Sequence, residues 1–180
     1  MIIEPRVRGF ICTTAHPAGC ATNVREQIAY VLRKGPLAGC PKRVAVLGCS
    51  TGYGLASRIV ATFAGGAETI GVSLEREPSE TRTGSAGWYN NRAFEIEAEK
   101  IGRSPLTLEG DAFSDELKKT FIERVREKFG QLDMLVYSMA APVRTDPVTG
   151  KTWRSAIKPL GAPVEIKTLN TETGEVYETT

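Results

Sequence analysis

The 180-residue sequence is poor in the residues that most metal and nucleic-acid sites require. It contains one histidine, and its four cysteines form no C-x-x-C pair. The formal charge is only +2, and no basic run is interleaved with aromatic residues, which excludes the usual footprint of a nucleic-acid-binding protein. No apolar run approaches the roughly 18 residues of a membrane span. We therefore expect no nucleic-acid or membrane partner.

The cysteines leave one alternative open. A zinc site could be imagined from Cys12, His16, Cys20 and Cys40, but structural zinc sites prefer tighter, paired spacing. We favour the interpretation that all four cysteines, these three and Cys49, are reduced thiols in a cytoplasmic protein. We therefore predict no metal site. The first residues also lack the basic-then-apolar layout of a signal peptide.

What the chain does have is a regular alternation of two patterns. Short, continuously apolar runs predict buried strands at 44–47, 69–74, 105–109 and 132–137. Apolar stripes of helical period follow at 54–63, 88–100 and 115–129, and another precedes them at 23–34, with Asn23 as its cap. This alternation is typical of an α/β fold, a Rossmann-like doubly wound parallel sheet with helices on both faces.

The stripes also predict which side chains are buried. The residues expected to face the core are Val24, Ile28, Val31, Leu32, Leu55, Ile59, Val60, Phe63, Leu117, Phe121, Ile122 and Val125.

Three segments divide the chain by composition. Residues 1–42 are interpreted as an N-terminal arm and helix, and residues 43–140 as a dinucleotide-binding core. Residues 141–180 are rich in Pro, Thr, Gly and charge, with an irregular pattern in which 164–169 and 175–179 are predicted to form a β-hairpin.

A glycine-rich turn carries the strongest functional signal. Gly48, Gly52 and Gly54 follow the first core strand and precede a helix. Such a turn lets the backbone pass close to a diphosphate, which the free N–H groups of the helix then face. The plainer alternative is that the glycines serve only a tight turn. A P-loop is excluded because no Lys-Ser or Lys-Thr follows them.

Two carboxylates lie where the next strands end. Glu75 follows the second strand, where it can accept hydrogen bonds from ribose hydroxyls and repel the additional phosphate of NADPH. This favours NADH, although Glu75 could be a solvated surface residue and Arg76 could pair with that phosphate. Asp111, with Ala112, follows the third strand and can reach the adenine edge, or it can help to cap the helix that begins at Ser114.

The fourth strand ends in the segment 137–142, which contains small residues. At the carboxyl edge of the sheet they would let a ribose and a nicotinamide lie close to the backbone.

Several segments together closely resemble the N-terminal part of the trans-2-enoyl-CoA/enoyl-[acyl-carrier-protein] reductases of the FabV type: 7–17, 48–59, 86–90, 110–114 and 137–144. The resemblance implies NADH-dependent reduction of the double bond of a 2-enoyl thioester, carried by acyl carrier protein or CoA, in fatty-acid biosynthesis. It implies that the cofactor is lined by Gly48, Cys49, Ser50, Thr51, Gly52, Tyr53, Leu74, Glu75, Asp111, Ala112, Met139 and Ala140.

The chain departs from this family in length. Members are about twice as long, and their catalytic tyrosine and lysine lie in the half that has no counterpart here. No tyrosine in this sequence is followed six to eight residues later by a lysine. We therefore predict no catalytic residue in this chain and interpret it as truncated, with an exposed edge and an uncovered apolar face at the fourth strand.

Three functions remain. The first is an enoyl-thioester reductase that is active in its complete form, and the second is a catalytically inactive NAD(H)-binding module or fragment. The third, a weaker alternative, is a short-chain carbonyl reductase.

Overall fold

The computed structural model describes residues 5–8, 11–156 and 160–179. Its first elements are the strands β1 (Val7–Arg8) and β2 (Ile11–Cys12), the helix α1 (Pro17–Lys34), the strand β3 (Arg43–Leu47), the helix α2 (Gly52–Ile59) and the strand β4 (Glu68–Ser73). The next are α3 (Ala86–Lys100), β5 (Leu106–Glu109), α4 (Asp115–Phe129) and β6 (Met134–Tyr137). Two hairpins follow, made of β7 (Val143–Thr145) with β8 (Thr152–Arg154), and β9 (Ile166–Leu169) with β10 (Val176–Thr179).

The predicted parallel sheet is confirmed. Its four strands lie in the order β5-β4-β3-β6, and all three neighbouring pairs are parallel. The chain moves outward from β3 to β5 and then returns to the other side of β3 as β6. The crevice outside the carboxyl ends of the strands, at this reversal of direction, is where open α/β sheets bind their ligands.

Helices cover both faces of the sheet because side chains alternate along each strand. On one face, Thr69 of β4 contacts Arg58 of α2, and α1 and α3 pack together over the same side. On the other face, Val72 of β4 lies beside Leu117 and Phe121 of α4.

The start of α1 was predicted wrongly. The helix begins at Pro17 rather than after Asn23, and Nδ1 of His16 caps it by accepting a hydrogen bond from the backbone N–H of Gly19 at 3.0 Å. Proline suits the first turn because its missing N–H would have had no partner there. Asn23 lies inside the helix, where it accepts a hydrogen bond from Gln27.

Three side chains predicted to be buried are exposed instead: Leu32 (56%), Val60 (36%) and Ile122 (47%). Leu32 lies in the last turn of α1. Val60 begins a π-helical turn, Val60–Ala64, whose wider spacing breaks the 3.6-residue phase on which the prediction relied. Ile122 is on the solvent side of α4, whereas Val125 is buried.

The region after β6 holds one hairpin more than predicted. The β9–β10 hairpin is confirmed, but the β7–β8 pair was missed because its short strands carry no clear apolar alternation.

The exposure expected at the fourth core strand is observed, since Leu135 and Tyr137 are 53% and 62% exposed. None of the described helices combines the length and apolarity needed to cross a membrane.

A buried arginine joins α2 to the sheet. Arg58 is fully buried, and its guanidinium donates hydrogen bonds to the hydroxyls of Thr69 (3.2 Å) and Thr107 (2.9 Å). It also donates to the carbonyl of Leu106 at 2.8 Å. Gly71 makes room for it, because a methyl group there would come within 2.6 Å of Nη1. Burial lowers the pKa of Arg58, but an arginine remains charged in proteins, so these acceptors hold a cation in the core.

An ion pair joins the start of β3 to the residue before β6. Asp133, just before β6, accepts from Nη2 of Arg43 at 2.5 Å and from the backbone N–H groups of Lys42 and Arg43 at 3.1 and 2.9 Å. The hydrogen bond from the Arg43 side chain is the main reason why the pKa of Asp133 is lowered from 3.8 to about 2. The pair thus joins the first residue of β3 to the residue before β6, at the amino ends of the two strands.

This pair should make folding stability depend on pH in acid. Because the pKa of Asp133 is depressed in the folded state, its contribution is complete above roughly pH 4 and is lost as pH falls toward about 2. We expect Asp133→Asn to lower the melting temperature at pH 7 and to flatten its decline between these values, measured by circular dichroism. Asp115→Asn, which breaks an exposed ion pair on α4, is the control. An unchanged acid decline in Asp133→Asn would contradict the assignment.

Candidate functional site

A cavity of about 460 Å³ lies at the carboxyl ends of the four core strands. It is lined by residues from the segments that follow β3, β4, β5 and β6, with the last two residues of β4: 48, 50–53, 72–75, 110–113 and 138–141. All the predicted cofactor residues except Cys49 are among them. The structure therefore brings together residues that are up to about ninety positions apart; their role as cofactor ligands stays a prediction.

The glycine turn is shaped by two close approaches of backbone. A methyl group on Gly48 would overlap the carbonyl of Ser138, and one on Gly54 would overlap the carbonyl of Gly48. Gly48 also has φ +81°, in the left-handed region that only glycine adopts readily. These two glycines are needed where β3, α2 and the segment after β6 meet, which is more than a tight turn requires.

The third glycine leaves the turn open toward the cavity. Gly52 has φ +53°, and no described atom lies within 4 Å of where its Cβ would be. It is the first residue of α2, and Thr51 before it makes no side-chain capping bond to the described residues. The first N–H groups of a helix have no partner within the helix. The turn thus presents bare backbone and unpaired donors, which suits an anion such as a diphosphate.

Cys49 lies beneath this turn rather than in the cavity. It is fully buried, and its backbone N–H donates to the carbonyl of Val72 at 3.1 Å. Its thiol lies 3.6 Å from Nη1 of Arg58 and 3.6 Å from Oδ1 of Asn91. Burial raises the pKa of this thiol, which keeps it neutral. The prediction that Cys49 lines the cofactor is therefore wrong as to its side chain, which supports the turn from inside.

A buried polar network ties α3 to the ends of β4 and β5. The amide of Asn91 donates to Ser73 Oγ at 2.8 Å and to Glu109 Oε1 at 3.3 Å, and Ser73 donates to Glu109 Oε2 at 2.9 Å. Sequence reasoning missed Asn91, although a polar residue three positions before Phe94 on the buried helix face signals an internal partner. The network fixes the strand ends from which the cavity opens.

Glu75 is held in place by two serines. Ser50 Oγ donates to Oε1 of Glu75 at 2.5 Å, and Ser85 Oγ donates to Oε2. The loop from Glu75 to Ser85 is closed by a hydrogen bond at its ends, because the N–H of Ser85 donates to the carbonyl of Arg76 at 2.9 Å. Glu75 is half-buried and lines the cavity, which argues against a freely solvated surface glutamate. Arg76 is exposed, and its guanidinium lies 3.5 Å from the carbonyl of Thr83.

Asp111 serves the local turn as well as the cavity. Its Oδ1 accepts from the N–H of Phe113 at 2.9 Å, and its carbonyl accepts from the hydroxyl of Ser114. Ser114 also caps α4 as predicted, because its Oγ accepts from the N–H of Leu117 at 3.2 Å. The two interpretations of Asp111 are thus compatible: it supports the helix start and still lies at the cavity wall.

The cavity is equipped for binding more than for acid catalysis. It has an anion-suited turn, two carboxylates and a wall that includes Met139 and Ala140, and neither lysine nor histidine is found among the described residues that line it. Tyr53, the one tyrosine among the described lining residues, is 89% exposed. No group of three or more His, Cys, Asp and Glu side chains suited to a metal ion occurs in the described part of the chain.

Comparison with known proteins gives consistent matches over the whole chain. Residues 2–80 match the family model described as the NAD(P)H binding domain of trans-2-enoyl-CoA reductase, and residues 82–180 match that of the trans-2-enoyl-CoA reductase catalytic region. The chain is 54% identical, over 99% of its length, to an enoyl-[acyl-carrier-protein] reductase [NADH] of Burkholderia pseudomallei, of which it covers 45%.

Solved structures agree. Trans-2-enoyl-CoA reductase of Treponema denticola, in complex with NAD, has a TM-score of 0.87 and 50% identity, over 99% of this chain and 46% of that protein. The Clostridium acetobutulicum enzyme, in complex with NADH, has a TM-score of 0.86 and 39% identity, over 99% of this chain and 45% of that protein. The chain thus spans less than half the length of these relatives. The second family model also includes the cavity residues at 110–113 and 138–141, so the two matched regions share one sheet.

Proposed function

This chain belongs to the trans-2-enoyl-CoA reductase family, and from that premise we propose that its cavity binds NADH for the reduction of a 2-enoyl thioester. The observation that carries the proposal is the convergence of the glycine turn and Glu75 on one cavity at the reversal point of the sheet. Bound NADH would supply the hydride that reduces the carbon–carbon double bond. The chain's own residues bind and orient it.

The glycine turn would hold the diphosphate. Gly52 leaves space and exposed backbone at the start of α2, and the positive end of the helix dipole favours an anion there. A Cβ at position 52 would have no described atom within 4 Å, so the space beside the turn is open.

Glu75 would select the cofactor at the adenosine ribose. Its carboxylate accepts one hydrogen bond at each oxygen from Ser50 and Ser85, and each oxygen has further acceptor capacity for a ribose hydroxyl. A phosphate on that ribose would instead bring like charge against the carboxylate. This favours NADH over NADPH.

The remaining cavity segments would receive the two rings. Asp111 and Ala112, after β5, lie on the side where an adenine extends from the ribose held at Glu75. Met139 and Ala140, after β6, lie across β3 from that side, where the nicotinamide would face a thioester carried by acyl carrier protein or CoA. Free cysteines throughout, Cys12 and Cys20 included, suit a cytoplasmic setting.

For the 180-residue chain by itself we propose cofactor binding without turnover. Reduction of an enoyl thioester needs an acid that stabilises or protonates the enolate oxygen. The sequence has no tyrosine with a lysine six to eight residues later, and no lysine is found among the described residues at the cavity. These observations favour a binding module for this length of chain and a reductase for a longer one.

The first prediction concerns cofactor selection. Glu75→Ala should weaken NADH binding roughly 10- to 100-fold, since hydrogen bonds to a charged group contribute about 1.5–3 kcal/mol, and should weaken NADPH binding much less. Fluorescence titration of both cofactors measures this. Glu77→Ala, in the same exposed loop, is the control and should leave both dissociation constants unchanged. Equal NADH binding by wild type and Glu75→Ala would overturn the ribose assignment.

The second prediction concerns turnover. NADH absorbance should stay constant when the 180-residue chain is mixed with crotonyl-CoA, and it should fall when a version extended through the next roughly 200 codons is used. Steady oxidation of NADH by the short chain would show that it contains its own acid and would refute the binding-only proposal.

A further inference from the structure

We propose that Ser85 and Gly87, at the start of α3, are positioning residues that set the preference for NADH over NADPH by fixing the carboxylate of Glu75. The inference rests on the proposed NADH site and deepens it. Neither residue lines the cavity, so each would act through Glu75 rather than by touching the cofactor.

The hydroxyl of Ser85 makes hydrogen bonds that hold Glu75. Ser85 occupies the N-cap position of α3, where a serine usually accepts a hydrogen bond from the N–H two or three residues on. No such bond to its side chain is present among the described residues. Instead its hydroxyl donates to Glu75 Oε2 and accepts from the N–H of Arg76 at 3.0 Å. The Ser85 hydroxyl therefore binds the Glu75 carboxylate instead of capping its own helix.

Gly87 provides the space that the carboxylate occupies. A methyl group on Gly87 would overlap Oε1 of Glu75 and would lie 2.8 Å from Cβ of Ser50. Gly87 lies within the first turn of a 15-residue helix and is not among the glycines with positive φ. Backbone conformation therefore gives no reason for glycine here, and alanine is the better helix former. The close approach of Glu75 is the structural reason for glycine at this position.

The same helix turn also holds the opposite side of the carboxylate. The amide of Asn90 donates to the carbonyl of Ser50 at 3.0 Å, and Ser50 donates to Glu75 Oε1 at 2.5 Å. Both carboxylate oxygens are therefore oriented by groups that α3 supports. A carboxylate fixed in this way cannot turn aside to relieve repulsion from a ribose phosphate.

We call the contacts that Ser85 and Gly87 make with the Glu75 carboxylate the clamp. Loss of the clamp should change the selectivity for NADH over NADPH more than it changes folding. In Ser85→Ala, Glu75 can rotate away from a phosphate while Arg76 remains close by in sequence to pair with it. We expect the ratio of the NADPH to the NADH dissociation constant to fall roughly 3- to 10-fold, which is less than the loss of a whole hydrogen bond to a charged group because Oε1 of Glu75 stays bound to Ser50. Ser85→Thr keeps the hydroxyl and should restore the wild-type ratio.

Gly87→Ala provides the second test. It should lower the same ratio by displacing Oε1, whereas Gly19→Ala in α1, where a Cβ would make only an ordinary 3.5 Å contact, should leave the ratio unchanged. Ser79→Ala, in the exposed loop before α3, is the control for a lost serine hydroxyl. Thermal melting of each variant, followed by circular dichroism, separates loss of fold from loss of selectivity.

Titration of all variants of the 180-residue chain with NADH and NADPH decides the proposal. A lowered ratio in Ser85→Ala and Gly87→Ala, with recovery in Ser85→Thr, supports it. A wild-type chain that prefers NADH, together with an unchanged ratio in a folded Ser85→Ala, refutes the clamp and leaves the proposed function intact. A wild-type chain that binds neither cofactor refutes the proposed function and the clamp together.

Discussion

The close approach of three backbone segments at Gly48 is the constraint on which the rest of the structure depends. The carbonyl of Ser138 lies on one side of this residue, and its own carbonyl lies against Gly54 at the start of α2. Because no side chain intervenes, β3, α2 and the segment after β6 converge, and the cavity opens among them. A larger residue at either glycine would separate these segments and with them the walls of the site.

This arrangement is supported from inside by buried polar groups rather than by apolar packing alone. Arg58 and Asn91 meet at the thiol of Cys49, directly beneath the glycine turn. Each has further partners on β4 and β5, so the turn, the helix and the strand ends form one connected network. Satisfied networks of this kind favour one arrangement of the core, since a broken one leaves buried polar groups without partners. The anion-suited turn therefore rests on a fixed base.

The sequence predicts the parts of this molecule whose signals are local. Each core strand lies within two residues of its predicted ends, because apolar runs between turns mark buried strands directly. The glycine turn and Glu75 are predictable for the same reason. Ser85 and Gly87 were not identified as site residues, since their importance comes from contact with Glu75 across a loop. Arg58 was not predicted to be buried, because a cation does not contribute to the apolar pattern that marks core positions. The start of α1 was missed because histidine is an uncommon cap.

We propose that NADH lies along the carboxyl edge of the sheet, from Asp111 through the glycine turn to Ala140. Amide chemical shifts of the ¹⁵N-labelled chain, titrated with NADH, test it most directly. We expect that the amides which shift most belong to the turn after β3, to Glu75, to 111–112 and to 139–140, while those of the β9–β10 hairpin stay in place. Saturable shifts that cluster instead in the apolar groove beside β6, around Val60 and Met134, would contradict it.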